Sequence, residues 1–255
     1  MSFKDVIESA RPSSYDEPSV DCSWGEFSKV IRSRRSVRIF DSTPVPSDVV
    51  QNAIDAGLIA PNSSNLQQAE FYWVRSQEKK SQLVEACLSQ PAAKTAQELI
   101  VIVARLDTWQ RNAKAVLQQL KTNGAPKAAV TYYEKIVPLA YRLGPCGLFG
   151  LVKRIVFNVQ GLKEPTPREP KSLADMRVWA HKSAALAAEN FMLAIRAQGF
   201  DTCPMEGFDS ARVRALLGLR CRAEINMVIA IGRRGKGGIY GPQTRLPREN
   251  FVFEV

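Results

Sequence analysis

Four short segments of this chain carry residue types that can do chemistry, and they lie far apart in the sequence. The first, IRSRRSVRIF at 31–40, places Arg32, Arg34, Arg35 and Arg38 within seven residues. Guanidinium groups are planar donor forks that grip phosphate bidentately, and the Ser36 hydroxyl adds another donor. Taken alone, the run is also the ordinary solvated end of a helix. The second, APNSSNLQQAEFYWV at 60–74, sets Asn65 and Gln67 on either side of one residue just before a strand. Two amides on one side suit the polar edge of a planar heterocycle, although a plain Ser/Asn turn has the same composition. The third, GFDTCPMEGFD at 199–209, contains a Pro204-Met205-Glu206-Gly207 turn. Such a turn can expose backbone N–H groups, and Gly207 lets a ligand approach the chain closely. Its plain alternative is a loop between two helices. In the fourth, YGPQTRLPRENF at 240–251, Arg245 follows a glycine-rich loop and can offer a further phosphate contact, or remain solvated.

The elements that must position these segments are legible from periodicity. Residues 1–23 are polar and acidic and read as an N-terminal arm. Trp24, Phe27, Val30 and Ile31 fall at helical spacing. After Pro46 comes a second helix, with Ser47 as its expected cap. Phe71–Val74 and Ile100–Ala104 read as strands, the latter fully buried, with a helix over 78–89 between them. Two helices fill 107–138, broken at Asn123-Gly124-Ala125-Pro126. Leu173–Gln198 is the longest helical signal, ended by Gly199. Its alanine-rich part, 183–198, is apolar nearly all round. A short helix at 210–217, a strand at 227–231, a glycine-rich loop at 232–241 and a strand-like FVFEV complete the chain. Strands and helices do not alternate regularly, which argues against a doubly wound sheet or a TIM barrel and for an α+β fold.

Composition removes whole classes of function. One histidine, His181, cannot build a multi-histidine zinc site or an HExxH protease. Five scattered cysteines with no CxxC pair exclude a disulfide scaffold and a thioredoxin dithiol, and suggest a reduced, cytoplasmic protein. The N-terminus has no apolar h-region of a signal peptide, and no run reaches the roughly 20 apolar residues of a membrane span. Net charge is +10, with residues 31–255 alone holding +13. A basic body suits phosphorylated cofactors as well as nucleic acid, but no basic–aromatic interleaving supports a nucleic-acid binder.

Together the four segments are more specific than any one of them. RRSVR followed by F-x-x-x-P-V-P, then AP-x-S-x-N-x-Q, then P-M-E-G-F-D, then R-L-P resembles the FMN-dependent nitroreductase family, over about 24–106 and 173–255. The resemblance implies a central, mainly antiparallel sheet surrounded by helices, and an intertwined homodimer with two FMN sites at the subunit interface. It assigns the FMN phosphate and ribityl chain to Arg34, Arg35, Ser36 and Arg38, with Arg245 closing on the phosphate. Asn65, with Gln67 close by, would meet the isoalloxazine or ribityl region. Pro204, Met205, Glu206 and Gly207 would lie against the flavin and give a backbone hydrogen bond near N5. The alanine-rich helix would be the dimer core, and 62–64 would reach the partner's flavin. The implied reaction is ping-pong hydride transfer from NAD(P)H through FMN to an electron-poor acceptor such as a nitroaromatic or quinone. The flavin carries that chemistry, so no catalytic side chain is assigned, His181 included. The same fold also serves reductive dehalogenases, metabolite dehydrogenases and non-catalytic flavin binders.

Two positions depart from the family pattern. Gln243 stands where many relatives have a basic residue, which weakens one phosphate contact. Gln68-Ala69 stands in place of Pro-Trp and alters the pocket floor. The remaining residues belong to a single domain over 24–255 with a variable insertion at 107–172. Within it, 139–162 holds 14 apolar and three basic residues and no acidic one. That composition fits a lid over the flavin that selects flat acceptors, a contact with an anionic membrane surface, or a helix packed on the body.

Overall fold

A computed structural model describes residues 17–144 and 147–255. Most of the expected arm, together with Pro145 and Cys146, lies outside the described residues. The sheet has four strands, β1 (Ala69–Val74), β2 (Glu98–Arg105), β3 (Asp201–Met205) and β4 (Ala223–Gly232), in the order β1-β2-β4-β3. Every neighbouring pair is antiparallel. The helices are α1 (Trp24–Ser33), α2 (Ser47–Leu58), α3 (Gln77–Ala86), α4 (Pro91–Thr95) and α5 (Trp109–Thr122) in the first half. There follow α6 (Lys127–Thr131), α7 (Val137–Tyr141), α8 (Leu148–Gln160), α9 (Leu173–Ala197) and α10 (Ser210–Leu216). The α+β class and the antiparallel sheet are those expected.

The central strands β2 and β4 are apolar at almost every position because helices cover both faces of the sheet. Successive side chains point to opposite faces. Ile100, Ile102, Ala104, Ile229 and Ile231 therefore face α2 and α9, whereas Leu99, Val101, Val103, Val228 and Ala230 face α3, α4 and α10. Helix α9 starts at a capping box, in which Ser172 and Asp175 satisfy each other's backbone N–H groups. It ends before Gly199, at φ +87°. On one side its small residues pack within the chain, while Ala185 and Leu186 on the other side are exposed. Ala184, Ala187 and Ala188 are buried, and α2 comes so close that a Cβ on Gly57 would lie 3.1 Å from the Ala187 carbonyl oxygen.

Three local expectations also change. Ser47 is the first residue of α2 rather than its cap, since Pro46 occupies the N-cap without a side-chain bond. Pro204 and Met205 end strand β3 instead of lying in a loop between helices. A proline is tolerated there because β3 is an edge strand. The terminal FVFEV forms no strand, and Phe251 and Phe253 are exposed; strand propensity needs a neighbouring edge to be realised.

Helix α8 is inside out. Leu148, Leu151, Val152, Ile155, Val156 and Val159 are all exposed, whereas Gly150 and Lys153 are its buried residues. At 3.6 residues per turn the exposed apolar positions fill one continuous arc of about 140°. Lys153 Nζ donates to the carbonyls of Ala140, at 2.7 Å, and Pro170, at 3.4 Å. It is thus a buried tether of the helix rather than a solvated cation. Among the described residues no helix is long and apolar enough to cross a membrane.

Burial pushes the Lys153 ammonium down to about 8. The folded state therefore binds this proton less tightly than the unfolded chain, and the penalty is complete below pH 8 and relieved between about pH 8 and 10.5. Unfolding free energies from urea titrations at pH 7 to 10 should rise more for the wild-type chain than for Lys153→Met, by an amount on the order of 3 kcal/mol at most. Identical pH dependence in the two proteins would show that Lys153 is solvated.

Candidate functional site

Residues 34–41 leave α1 in an extended form and lie along the edge of the sheet at β3. Ser36 bridges Thr202 in parallel, and the Val37 N–H donates to the Thr202 carbonyl at 3.0 Å. Extended backbone alternates its side chains: Val37 is fully buried, while Ser36 and Arg38 are exposed on either side of it. Phe40 is buried as well, and its N–H donates to Thr95 Oγ1 at 3.0 Å. The glycine-rich loop after β4 lies against the other side of this segment. Arg38 N–H donates to Gly238 O at 2.7 Å and Gly235 N–H to Ile39 O at 3.0 Å. A Cβ on Gly238 would sit 2.4 Å from the Ile39 carbonyl oxygen, so only glycine permits this approach.

The loop then brings 239–245 against the arginines. Arg35 Nη2 donates to Gly241 O at 2.6 Å, and the Arg38 guanidinium stands 5.2 Å from the centre of the Tyr240 ring. The result is a cavity of about 330 Å3 that Arg34, Arg35, Ser36, Arg38 and Arg245 line together. Five residues that the resemblance assigns to the FMN phosphate and ribityl chain thus share one cavity, although Arg245 lies about two hundred positions from the rest. Four guanidinium forks and a hydroxyl are a donor set suited to a dianionic phosphate. Burial pushes the neighbouring Cys203 thiol above its ordinary value, against the pull of Arg38 and Arg34.

The Pro204–Gly207 segment belongs to the same edge. Met205 is buried, Pro204 partly so, and Glu206 and Gly207 are exposed. Gln90 Nε2 braces the segment by donating to Gly207 O at 2.7 Å.

Asn65 and Gln67 are elsewhere. They precede β1 at the opposite edge of the sheet, three strand spacings or about 14 Å from β3. Ala69 pairs with Ala104 near one end of the sheet, whereas Ser36 meets Thr202 opposite Ile231 near the other. One chain therefore does not bring these amides to the arginine cavity. Both are exposed, with Leu66 and Gln68 buried between and after them. Their common side comes from left-handed backbone at Ser64, Asn65 and Gln67, with φ of 55°, 47° and 50°, and not from a strand pleat. Non-glycine residues rarely adopt that conformation, and surrounding structure must hold it. Three tyrosines do so. Tyr132 and Tyr141 hydroxyls lie 2.8 and 2.9 Å from Ser64 Oγ, Tyr141 Oη is also 3.0 Å from Ser63 Oγ, and Tyr133 donates to Ser64 O at 2.7 Å.

His181 lies apart from both groups. Its ring nitrogens sit 3.0 Å from Glu224 Oε2 and 3.0 Å from Asn226 Nδ2, and Arg177 also pairs with Glu224. Burial would raise the Glu224 carboxyl, but Arg177 and His181 hold it below its ordinary value. Sequence reasoning missed Tyr240, Gln90 and the three tyrosines. Only the adjacency of Tyr240 to the late glycine-rich segment offered a signal.

A model of the nitroreductase family matches residues 31–233. The chain is 27% identical to an NADH dehydrogenase of Thermus thermophilus over 220 residues, 86% of this chain and 91% of that one. It is 26% identical to the protein DrgA of Synechocystis over 205 residues, 80% and 82% of the two chains. Among solved structures, the ydfN protein of Bacillus subtilis superposes with a TM-score of 0.74 at 23% identity, over 91% of this chain and 100% of the other. A protein from Exiguobacterium sibiricum crystallised in complex with FMN gives 0.67 at 20% identity, over 94% and 99%.

The brace on Gly207 is testable by itself. Gln90→Ala removes the bond to Gly207 O, worth about 1 kcal/mol, together with the one Gln90 Nε2 makes to Cys87 O at 3.1 Å. Amide exchange over 206–209 should accelerate roughly fivefold while exchange in β2 stays unchanged. Equal exchange at both places would remove Gln90 from the site.

Proposed function

This chain belongs to the nitroreductase family, and on that premise we propose that it is an FMN-dependent oxidoreductase, taking hydride from NAD(P)H and delivering it to a nitroaromatic or quinone acceptor. The observation that carries the reading is the meeting of Arg34, Arg35, Ser36, Arg38 and Arg245 in one cavity. FMN, when bound, supplies the hydride chemistry, and the side chains hold and orient it. The arginines and Ser36 would take its phosphate and the neighbouring ribityl hydroxyls. Glu206 and Gly207, braced by Gln90, would present backbone N–H groups to the ring system. Gln243 gives the phosphate end one positive charge fewer than many relatives have, which leaves Arg245 as the cationic contact from that loop.

The separation of Asn65 and Gln67 from the arginines supports a site shared between two copies. In a homodimer the arginine edge of one chain and the 62–67 turn of its partner would form the two halves of each site. The tyrosine-held turn then acts as a rigid contribution made across the interface.

A purified chain should carry bound flavin that bleaches with NADPH or NADH in the absence of oxygen and recovers when a nitroaromatic or quinone is added. Flavin that binds without bleaching would mark a storage protein, and a chain that takes up no FMN would overturn the reading. Arg34→Ala and Arg245→Ala should each weaken FMN by about tenfold to a hundredfold, the cost of a charged hydrogen bond.

The shared site has its own test. Co-expressed Arg34→Ala and Asn65→Ala chains form a mixed dimer with one intact and one doubly damaged site if the halves come from different chains. Flavin content of the mixed dimer, isolated by differential tags, should then recover to about half that of the wild type. No recovery over either single variant would place both halves in one chain.

A further inference from the structure

Arg35 also lines a second cavity, of about 400 Å3, whose other walls include Arg32 and Ser33 at the end of α1, Arg196 near the end of α9, Asp201 at the start of β3, and Arg233 and Arg234 after β4. Five guanidinium groups face one carboxylate, a net wall charge of +4. All five cations are arginines.

The carboxylate is the part that an ordinary basic surface lacks. Asp201 is 4% exposed, and its Oδ1 accepts from Arg196 Nη1 at 3.0 Å and from Arg234 Nη2 at 2.8 Å. It answers one positive charge and fixes two forks, brought from α9 and from the loop after β4. Arg32 is oriented in turn, its Nε donating to Ser28 Oγ at 3.0 Å, and Arg35 is held on Gly241 O. Asp41 feels Arg233 but does not line the cavity. Solvated surface arginines repel one another and spread apart. Here four parts of the fold bring them together, and a buried carboxylate organises them.

We propose that this cavity is a second anion site, which takes the dianionic phosphate of a phosphate monoester or a free phosphate ion. Rigid guanidinium forks match phosphate oxygens bidentately. Because Arg35 lines both cavities, this site adjoins the one assigned to the flavin phosphate. On the oxidoreductase reading above, and resting on it, the 2′-phosphate of NADPH is one source of the group.

The test titrates FMN-saturated full-length protein by calorimetry with inorganic phosphate and with 2′-AMP, at low and at raised salt. It compares the wild type with Arg32→Ala/Arg233→Ala, two exposed positions outside the first cavity. Phosphate binding should weaken about tenfold or more in the double variant, with flavin content unchanged. If the donor's phosphate is the ligand, 2′-AMP binds more tightly than inorganic phosphate, and kcat/KM falls about tenfold for NADPH but not for NADH. If a free phosphate is the ligand, inorganic phosphate binds at least as well and both donors are unaffected. Absence of phosphate binding in the wild type, or equal binding by the double variant, overturns the proposal. A chain that holds no FMN yet binds phosphate in a way the double variant loses would sink the oxidoreductase reading and leave this site standing.

Discussion

The arginine edge depends on two apolar side chains, Val37 and Phe40. Both are buried on the face of the sheet that α3, α4 and α10 cover. Burying them contributes about 2 kcal/mol or more each, and it is this, rather than any contact among the arginines, that holds residues 34–41 in extended form. Once the backbone is extended, alternation sends Ser36 and Arg38 outward. The same segment gives its backbone to the glycine-rich loop, which carries Tyr240 and Arg245 to the cavity. An apolar anchor thus pays for a concentration of like charge that would disperse in an unfolded chain.

Electrostatics divide the two cavities into different kinds of site. The first is lined by cations bound to backbone carbonyls and an aromatic face, so its net charge awaits an anion. The second holds a buried carboxylate that offsets part of the repulsion and fixes geometry. Asp201 accepts from two arginines at once, and such a buried group is costly unless its partners remain in place. Arg35 belongs to both walls, which couples the charge of one cavity to that of the other.

The 62–67 turn is built on a different physical basis. Three tyrosine hydroxyls make four contacts with Ser63 and Ser64 beside left-handed backbone at residues with side chains, in a region where glycine would be the easy choice. Those tyrosines lie between β2 and α9, the part of the sequence that the family resemblance does not cover. Helix α8 in that same region turns its apolar face outward and buries its lysine. The buried side is closed by Lys153, which donates to the carbonyls of Ala140 and Pro170, and by Gly150, where a side chain would meet the Lys171 carbonyl.

Periodicity was enough to read the α+β class, both central strands and the long helix, and the family resemblance pointed to the arginines and Ser36 that share the first cavity. These are properties of local pattern: a doubly buried strand must be apolar throughout, and a phosphate needs arginine forks and a hydroxyl. What tertiary structure alone decided is which groups meet. It placed Pro204 and Met205 on an edge strand, packed one side of the long helix closely against α2, and set Asn65 and Gln67 across the sheet from the arginines. It also gathered Arg32, Arg196, Arg233 and Arg234 around Asp201. No spacing rule predicts those meetings, because each arises from packing among elements far apart in sequence, whereas a one-dimensional pattern records only what each element needs from its own surroundings.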